Sequence, residues 1–278
     1  MSLSPDSRLL LYRNDNTIYA SPVGSIHAGE ILVASDGDKI PVNAINKTTD
    51  ELFCVTLVND DKIVCNAWHA LAYRFDKDSD ELLTVPVYEL TSKTMRDVSK
   101  YPIAKASPEF GHIEPDPGED MKRVGEDMLN ELWASPSDSI LTMSRDNRMR
   151  FLAGVIDQYG FSTRQGIKID VLNVSTAYLL KILCRSLGFE TTAITLGNRF
   201  SNNYRITLGG DIGSIPYESE QVDLSDYIPP ETTMSYRIKH IKSIGYHECY
   251  SIVTPGYKYA LLEDFTVIPT KGWSDGRN

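Results

Sequence analysis

Residues 8–73 carry their apolar side chains in short runs, each broken by Asn, Asp or Gly: RLLLY, RNDN, TIYASPV, EILVA, SDGD, KIPVNAI, LFCVTLV, NDD, KIVCNAW. Runs of this length bounded by turn residues read as strands joined by hairpins, and NDD between LFCVTLV and KIVCNAW is the clearest hairpin. No helical period appears in this stretch, which predicts an all-β unit. The pattern changes at residues 105–127, KASPEFGHIEPDPGEDMKRVGED, rich in Pro, Gly and acid and read as a linker or shortened insertion. Further on, GIKIDVLNV alternates like a strand. STAYLLKILCRSLGF repeats like an amphipathic helix with Ser175 as N-cap and Gly188 as C-cap, and TTAITL and NYRITL read as strands joined by GNRFSN. Strand-rich sequence then returns in YSIVTPGYKYALLEDFTVI.

Charge restrains the functional reading. With 28 Lys+Arg against 38 Asp+Glu, the 278 residues carry a formal net charge of −10. Nucleic-acid affinity comes mostly from neutralising phosphates, so DNA binding requires basic residues clustered locally. The length suits two modest domains. Cys54, Cys65, Cys184 and Cys249 are dispersed with no CxxC spacing, which argues against a zinc knuckle or redox pair and for buried small apolar roles. The N-terminus MSLSPDSRLL has no signal-peptide pattern, and no apolar run approaches the ~20 residues of a membrane span, so the expectation is an intracellular protein, nuclear or cytoplasmic, with no membrane partner.

Specific residues carry the reading further. FLAGVIDQYG, residues 151–160, resembles the LAGLIDADG motif of homing endonucleases, in which a glycine lets two helices pack closely and a late acidic residue holds the catalytic metal. Around it, LSPDSRLLLY, EILVASDGDKIPVNAI, IVCNAWHALAY, VSKYPIAKASPE and YSIVTPGYKYALLEDFTVI follow one another in the order found in Hint (hedgehog/intein) modules. The closest resemblance is to the yeast vacuolar-ATPase inteins and the mating-type-switching endonucleases. It implies a mixed β and α/β fold, in which a Hint-like all-β domain formed from both chain ends is interrupted by a reduced LAGLIDADG α/β subdomain. The expected divisions are residues 1–106 and 229–270 for the Hint-like domain, 107–135 for a shortened linker, 136–228 for the LAGLIDADG-like subdomain, and 271–278 for a tail. A second motif helix is expected, if at all, between residues 127 and 133.

The resemblance also says where chemistry would sit. Splicing needs a first-residue nucleophile, a histidine that polarises the amide, and a terminal His-Asn whose carboxamide cyclises. These positions fall on Ser2, His69, and Pro269 with Thr270, while Tyr257 replaces a further histidine, so splicing is not expected. Ser2 follows only Met1, which leaves no upstream segment to transfer, and Asn278 lacks the preceding histidine. Cleavage would use Mg²⁺ held by paired carboxylates, but Tyr159 occupies the expected acidic position and a phenol of pKa near ~10 stays neutral. Asp157 is the remaining candidate for catalysis and for the metal, alongside His69 as a catalytic candidate in the Hint-like part. Candidate DNA contacts are Arg164, Lys168, Arg199 and Arg205 on the saddle-forming strands and Arg237 and Lys239 in RIKHIK, each of which equally suits a solvated face. Partners are therefore DNA and a second copy docking through the Gly154 face. The reading leaves two alternatives, a defective endonuclease or a binding protein without catalysis.

Overall fold

The computed structural model describes residues 1–75, 81–110, 120–127, 139–192, 194–198, 201–229 and 236–272. The chain is mostly β with a minority of helix, and it divides into two compact units: Met1–Ala106 with Thr233–Asn278, and Ser107–Thr232. Each has its own apolar core. No helix among the described residues is long and apolar enough to cross a membrane.

The first unit begins with β1 (Arg8–Tyr12), β2 (Ile18–Pro22), β3 (Ile31–Val33) and β4 (Lys39–Pro41), an antiparallel sheet in the order β2-β1-β3-β4. β5 (Ala44–Leu57) and β6 (Lys62–Asn66) form the hairpin written in NDD, where Asp60 takes the left-handed conformation (φ 65°) that Asp tolerates. β7 (Ala70–Tyr73) and β8 (Leu83–Pro86) pair next. Two short helices, α1 (Val87–Thr91) and α2 (Met95–Val98), then bury Val87, Leu90 and Val98. The strand-turn pattern of the sequence gives no sign of these two.

The second unit holds α3 (Met121–Asp127), α4 (Ser139–Thr142), α5 (Arg145–Tyr159), β9 (Gly160–Thr163), β10 (Gly166–Val171), α6 (Val174–Ser186), β11 (Glu190–Thr191), β12 (Thr195–Asn198) and β13 (Ser201–Gly209). The sheet runs β11-β13-β10-β9 with β12 also on β13. Alternation places Ile167, Ile169, Val171, Ile206 and Leu208 in the core. α6 buries Ala177, Leu180, Leu183 and Cys184 on one face. Its N-cap is Asn173, not Ser175: the Asn173 side chain accepts the Ser175 N–H at 2.7 Å. Gly188 follows the helix at φ 88°, as a C-terminal glycine should.

The chain returns to the first unit with β14 (Ile238–Thr254), β15 (Tyr259–Leu261), β16 (Val267–Pro269) and β17 (Lys271–Gly272). β14 pairs along the whole of β5, and β17 adds to it in parallel, so Lys271 and Gly272 belong to a sheet and not to a tail.

α5 runs through the core of the second unit. Ser144 caps it by accepting the Asn147 N–H, Asp146 suits its positive end, and Phe151, Leu152, Ala153, Val155 and Ile156 are fully buried. Arg148 is buried as well, at 0 % exposure, and among the described residues no carboxylate bonds it. Its guanidinium donates to carbonyl oxygens of Met143 (3.1 Å), Ser186 (3.0 Å) and Pro108 (2.7 Å), and lies 4.8 Å from the Phe110 ring centroid. Burial lowers its pKa to about 10, so it stays charged at neutral pH and ties α5 to the end of α6. Arg148→Met should cost about 3 kcal/mol or more, because it strands the carbonyls of Met143 and Pro108 and leaves that of Ser186 with the Ser107 hydroxyl alone. Urea unfolding measures this, and a midpoint equal to wild type would refute the role.

Candidate functional site

In the first unit, the start of the chain lies as a short strand between β6 and β14. Leu3 exchanges backbone hydrogen bonds with Tyr250 (2.8 and 2.9 Å), and Asn66 N–H donates to Ser2 O at 3.0 Å. The Asn66 side chain accepts the Ser2 N–H at 3.0 Å and donates to Asp50 at 2.9 Å. Met1 and Leu3, the neighbours of Ser2, line a cavity of about 10 Å³ together with His69, Tyr250, Pro269 and Thr270. Positions from the start, the first third and the end of the chain thus converge. The cavity has room for about one water molecule, too little for a substrate group.

His69 is 2 % exposed, and neither ring nitrogen has a hydrogen-bond partner among the described residues. Burial, followed by the positive charge at the chain start, lowers its pKa to about 3. The imidazole is therefore uncharged at neutral pH and cannot serve as a general acid there. Across the same cavity, the Thr270 hydroxyl is taken by Thr254 Oγ1 (2.6 Å) and the Lys258 carbonyl (3.2 Å). Tyr257 is half exposed and packs edge-on against Tyr259.

In the second unit, the motif helix α5 packs against α3. A methyl added at Gly154 would overlap the carbonyl O of Lys122 and come 3.0 Å from the Glu126 nitrogen. A methyl at Gly125 would overlap the carbonyl O of Phe151 and come 3.0 Å from the Val155 nitrogen. Each glycine thus faces the carbonyl three residues before the other and the N–H one residue after it. That reciprocity is a local two-fold relation, with Gly125 as the counterpart of Gly154.

Two sequence expectations change here. The stretch read as linker contains a helix, α3, that packs on α5, whereas the second motif helix expected between residues 127 and 133 lies, beyond Asp127, outside the described residues. The Gly154 face is already covered by α3 of the same chain, so the expected homodimer through this helix has no face left to use. Gly125 and Lys122 escaped sequence reasoning because a lone glycine among charged residues carries no period.

Asp157 lies beside this helix pair. One carboxylate oxygen accepts the backbone N–H groups of Glu218 and Ser219 (2.7 Å to the latter), and the other is 3.0 Å from Lys122 Nζ. Lys122 also pairs with Glu218 at 2.9 Å. The candidate catalytic and metal residue is thereby committed to holding a loop onto α3. The Tyr159 hydroxyl donates to the Glu126 carbonyl at 3.1 Å, across the helix pair. No three His, Cys, Asp or Glu side chains gather to hold a metal ion among the described residues.

The candidate DNA contacts are scattered over both units. Arg205 makes a two-pronged bond to Asp170 (2.7 and 2.6 Å) over the Phe161 ring, which neutralises it. Lys168 points out of the sheet on that same side, and Arg164 lies exposed in the turn after β9. In the first unit, Lys239 pairs with Asp60 at 2.9 Å, and Arg237 immediately precedes β14, half-buried. Arg199 lies outside the described residues, as do residues 273–278 with Asn278.

No family model matches the sequence, and no curated protein does. Among solved structures, the chain is similar to the gp41-1 intein, at 12% identity over 31% of this chain and 59% of that one, with a TM-score of 0.25. It is also similar to Ssp DnaB mini-intein variant M86, at 9% identity over 99% and 96% of the two chains with a TM-score of 0.38. A mutant of that same variant is similar at 10% identity over 97% and 98%, with a TM-score of 0.35. The neighbours are inteins, but likeness this loose carries no argument about chemistry or fold.

Two measurements check the geometry. Gly154→Ala should destabilise the second unit by about 3 kcal/mol through overpacking, whereas Gly213→Ala, with nothing within 4 Å of the added carbon, should be near neutral. Equal unfolding midpoints for the two would refute the close helix approach. For His69, the folded pKa is depressed from 6.5 to about 3, so below pH 6.5 the unfolded chain takes up the proton first. The stability His69 contributes should fall as pH drops from 6.5 toward 3, at up to about 1.4 kcal/mol per pH unit. His69→Phe should flatten urea-measured stability over that window, and an unchanged slope would exclude a buried neutral imidazole.

Proposed function

We propose that this chain is an intein-like protein with a LAGLIDADG-type insertion, that it binds DNA without cutting it, and that it does not splice. The observation that carries the reading is the reciprocal packing of Gly125 and Gly154, an arrangement of two motif helices whose chemical positions hold other side chains. Tyr159 stands where one metal-holding carboxylate would be, and five residues beyond Gly125 stands Asn130, itself outside the described residues. A phenol and a carboxamide do not assemble a Mg²⁺ site, and Asp157 is neutralised by Lys122. The residues present do not fit the metal, and no hydrolytic step is derived through it.

The first unit supports the same view. Met1 and Leu3 meet Pro269 and Thr270 at the His69 cavity, the arrangement splicing would require, yet Thr270 has no carboxamide to cyclise and its hydroxyl is bound elsewhere. What remains in both units is a framework able to present surfaces.

Purified protein incubated with a randomised DNA library and Mg²⁺ or Mn²⁺ should enrich bound fragments without producing breaks. Reproducible cuts lost in Asp157→Asn would overturn the non-cleaving assignment. In a fusion flanked by two reporter proteins, only the unspliced precursor should accumulate, and a ligated reporter product would overturn the rest.

A further inference from the structure

We infer that the DNA contact lies on the β14-β5-β6 face of the first unit, centred on Lys62 and Lys242, and not on the saddle sheet of the second. The inference rests on the DNA-binding reading above and locates its surface. Residues 237–247, RIKHIKSIGYH, contain no acid in a chain of net charge −10, and Lys239, His240, Lys242 and His247 are exposed. The register aligns them. His240 pairs with Thr56, and Thr56 with Lys62, so Lys62 and His240 rise from the same face two strands apart, roughly 10 Å. Lys242 follows His240 by two residues on that face, about 7 Å along the strand. Between them the register places Thr56, Cys54 and Val64, all short side chains without charge.

The two acids of the turn before Lys62 are both occupied. Asp60 is bound to Lys239, which sits at the irregularity between Ile238 and His240, and Asp61 is bound to Lys105 at 3.0 Å. Among the described residues no carboxylate bonds Lys62 or Lys242, and duplex phosphates complement them. The opposite case holds on the saddle sheet. There Arg205 is consumed by Asp170, Lys168 is flanked across the strands by Thr207 and Phe161, and the loop at 218–226 is acidic. An exposed β surface bearing lysines complements the phosphates that supply most of the affinity for duplex DNA.

Fluorescence anisotropy of the full chain with a labelled duplex of about three helical turns tests this. Lys62→Ala combined with Lys242→Ala should weaken binding about tenfold and reduce the salt slope by about 2, as loss of two phosphate contacts requires. Lys168→Ala combined with Arg205→Ala should change affinity by less than about twofold. Thermal unfolding of each double variant establishes that both remain folded. Binding that survives the first pair and is lost in the second overturns the inference while leaving DNA binding intact. No binding by the wild-type chain to any duplex at low salt overturns the DNA-binding reading itself. Stronger binding to single-stranded RNA of the same length overturns the choice of duplex.

Discussion

The antiparallel pairing of β5 with β14 is the contact on which the first unit depends. Fourteen residues near the start of the chain find their partners only after the second unit has intervened, from Leu57 against Ile238 to Ala44 against Val253. Closing so long a loop costs entropy that grows only slowly with length, so an insertion there is tolerable provided the ladder itself is intact. The ladder then fixes much else. It offers Tyr250 as a partner for Leu3 and Val253 as a neighbour for Lys271, and so draws both of these segments to the His69 cavity. The site is a consequence of strand register, and its closeness to the ends says nothing about surviving reactivity.

The second unit depends on a different constraint, the contact of two helix backbones. Carbonyl oxygens occupy the space where β-carbons would be, which only glycine permits at residues 125 and 154. The same closeness sets the uses of neighbouring side chains. Tyr159 reaches the Glu126 carbonyl, and Asp157 reaches Lys122 one turn before Gly125. Buried Arg148 secures the helix from its other end through carbonyls, a bonding mode that keeps a charge without an acid bonded to it.

How much of this is visible in the sequence follows from the range of each interaction. The β5-β6 hairpin is legible because its turn chemistry, Asn59 to Asp61, lies between the strands it joins. α6 and the alternating β10 are legible because burial repeats at the period of the element. α3 is not: its close approach to α5 rests on one glycine and on backbone atoms, and most of its other residues are charged. Asn173 and Ser175 are both acceptable caps, and only the bond between them, from the Ser175 nitrogen to the Asn173 side chain, decides which serves. The candidate sites divide the same way. Residue types showed what chemistry was missing at Tyr159 and Thr270, but their present partners arise from contacts across the fold.

Those partners explain in energetic terms why these side chains belong to the framework. A catalytic carboxylate serves a reaction and contributes little to folding, whereas a packed glycine or a bonded buried group is felt directly in stability. Three candidate residues make structural bonds: Tyr159 to Glu126, Thr270 to Thr254 and Lys258, and Asp157 to the loop at Glu218 and Ser219. An acid at position 159 would remove a bond across the helix pair and place a charge beside a backbone carbonyl, where it is unfavourable without a cation. A metal site at the helix pair would therefore require changing the contacts of both helices together.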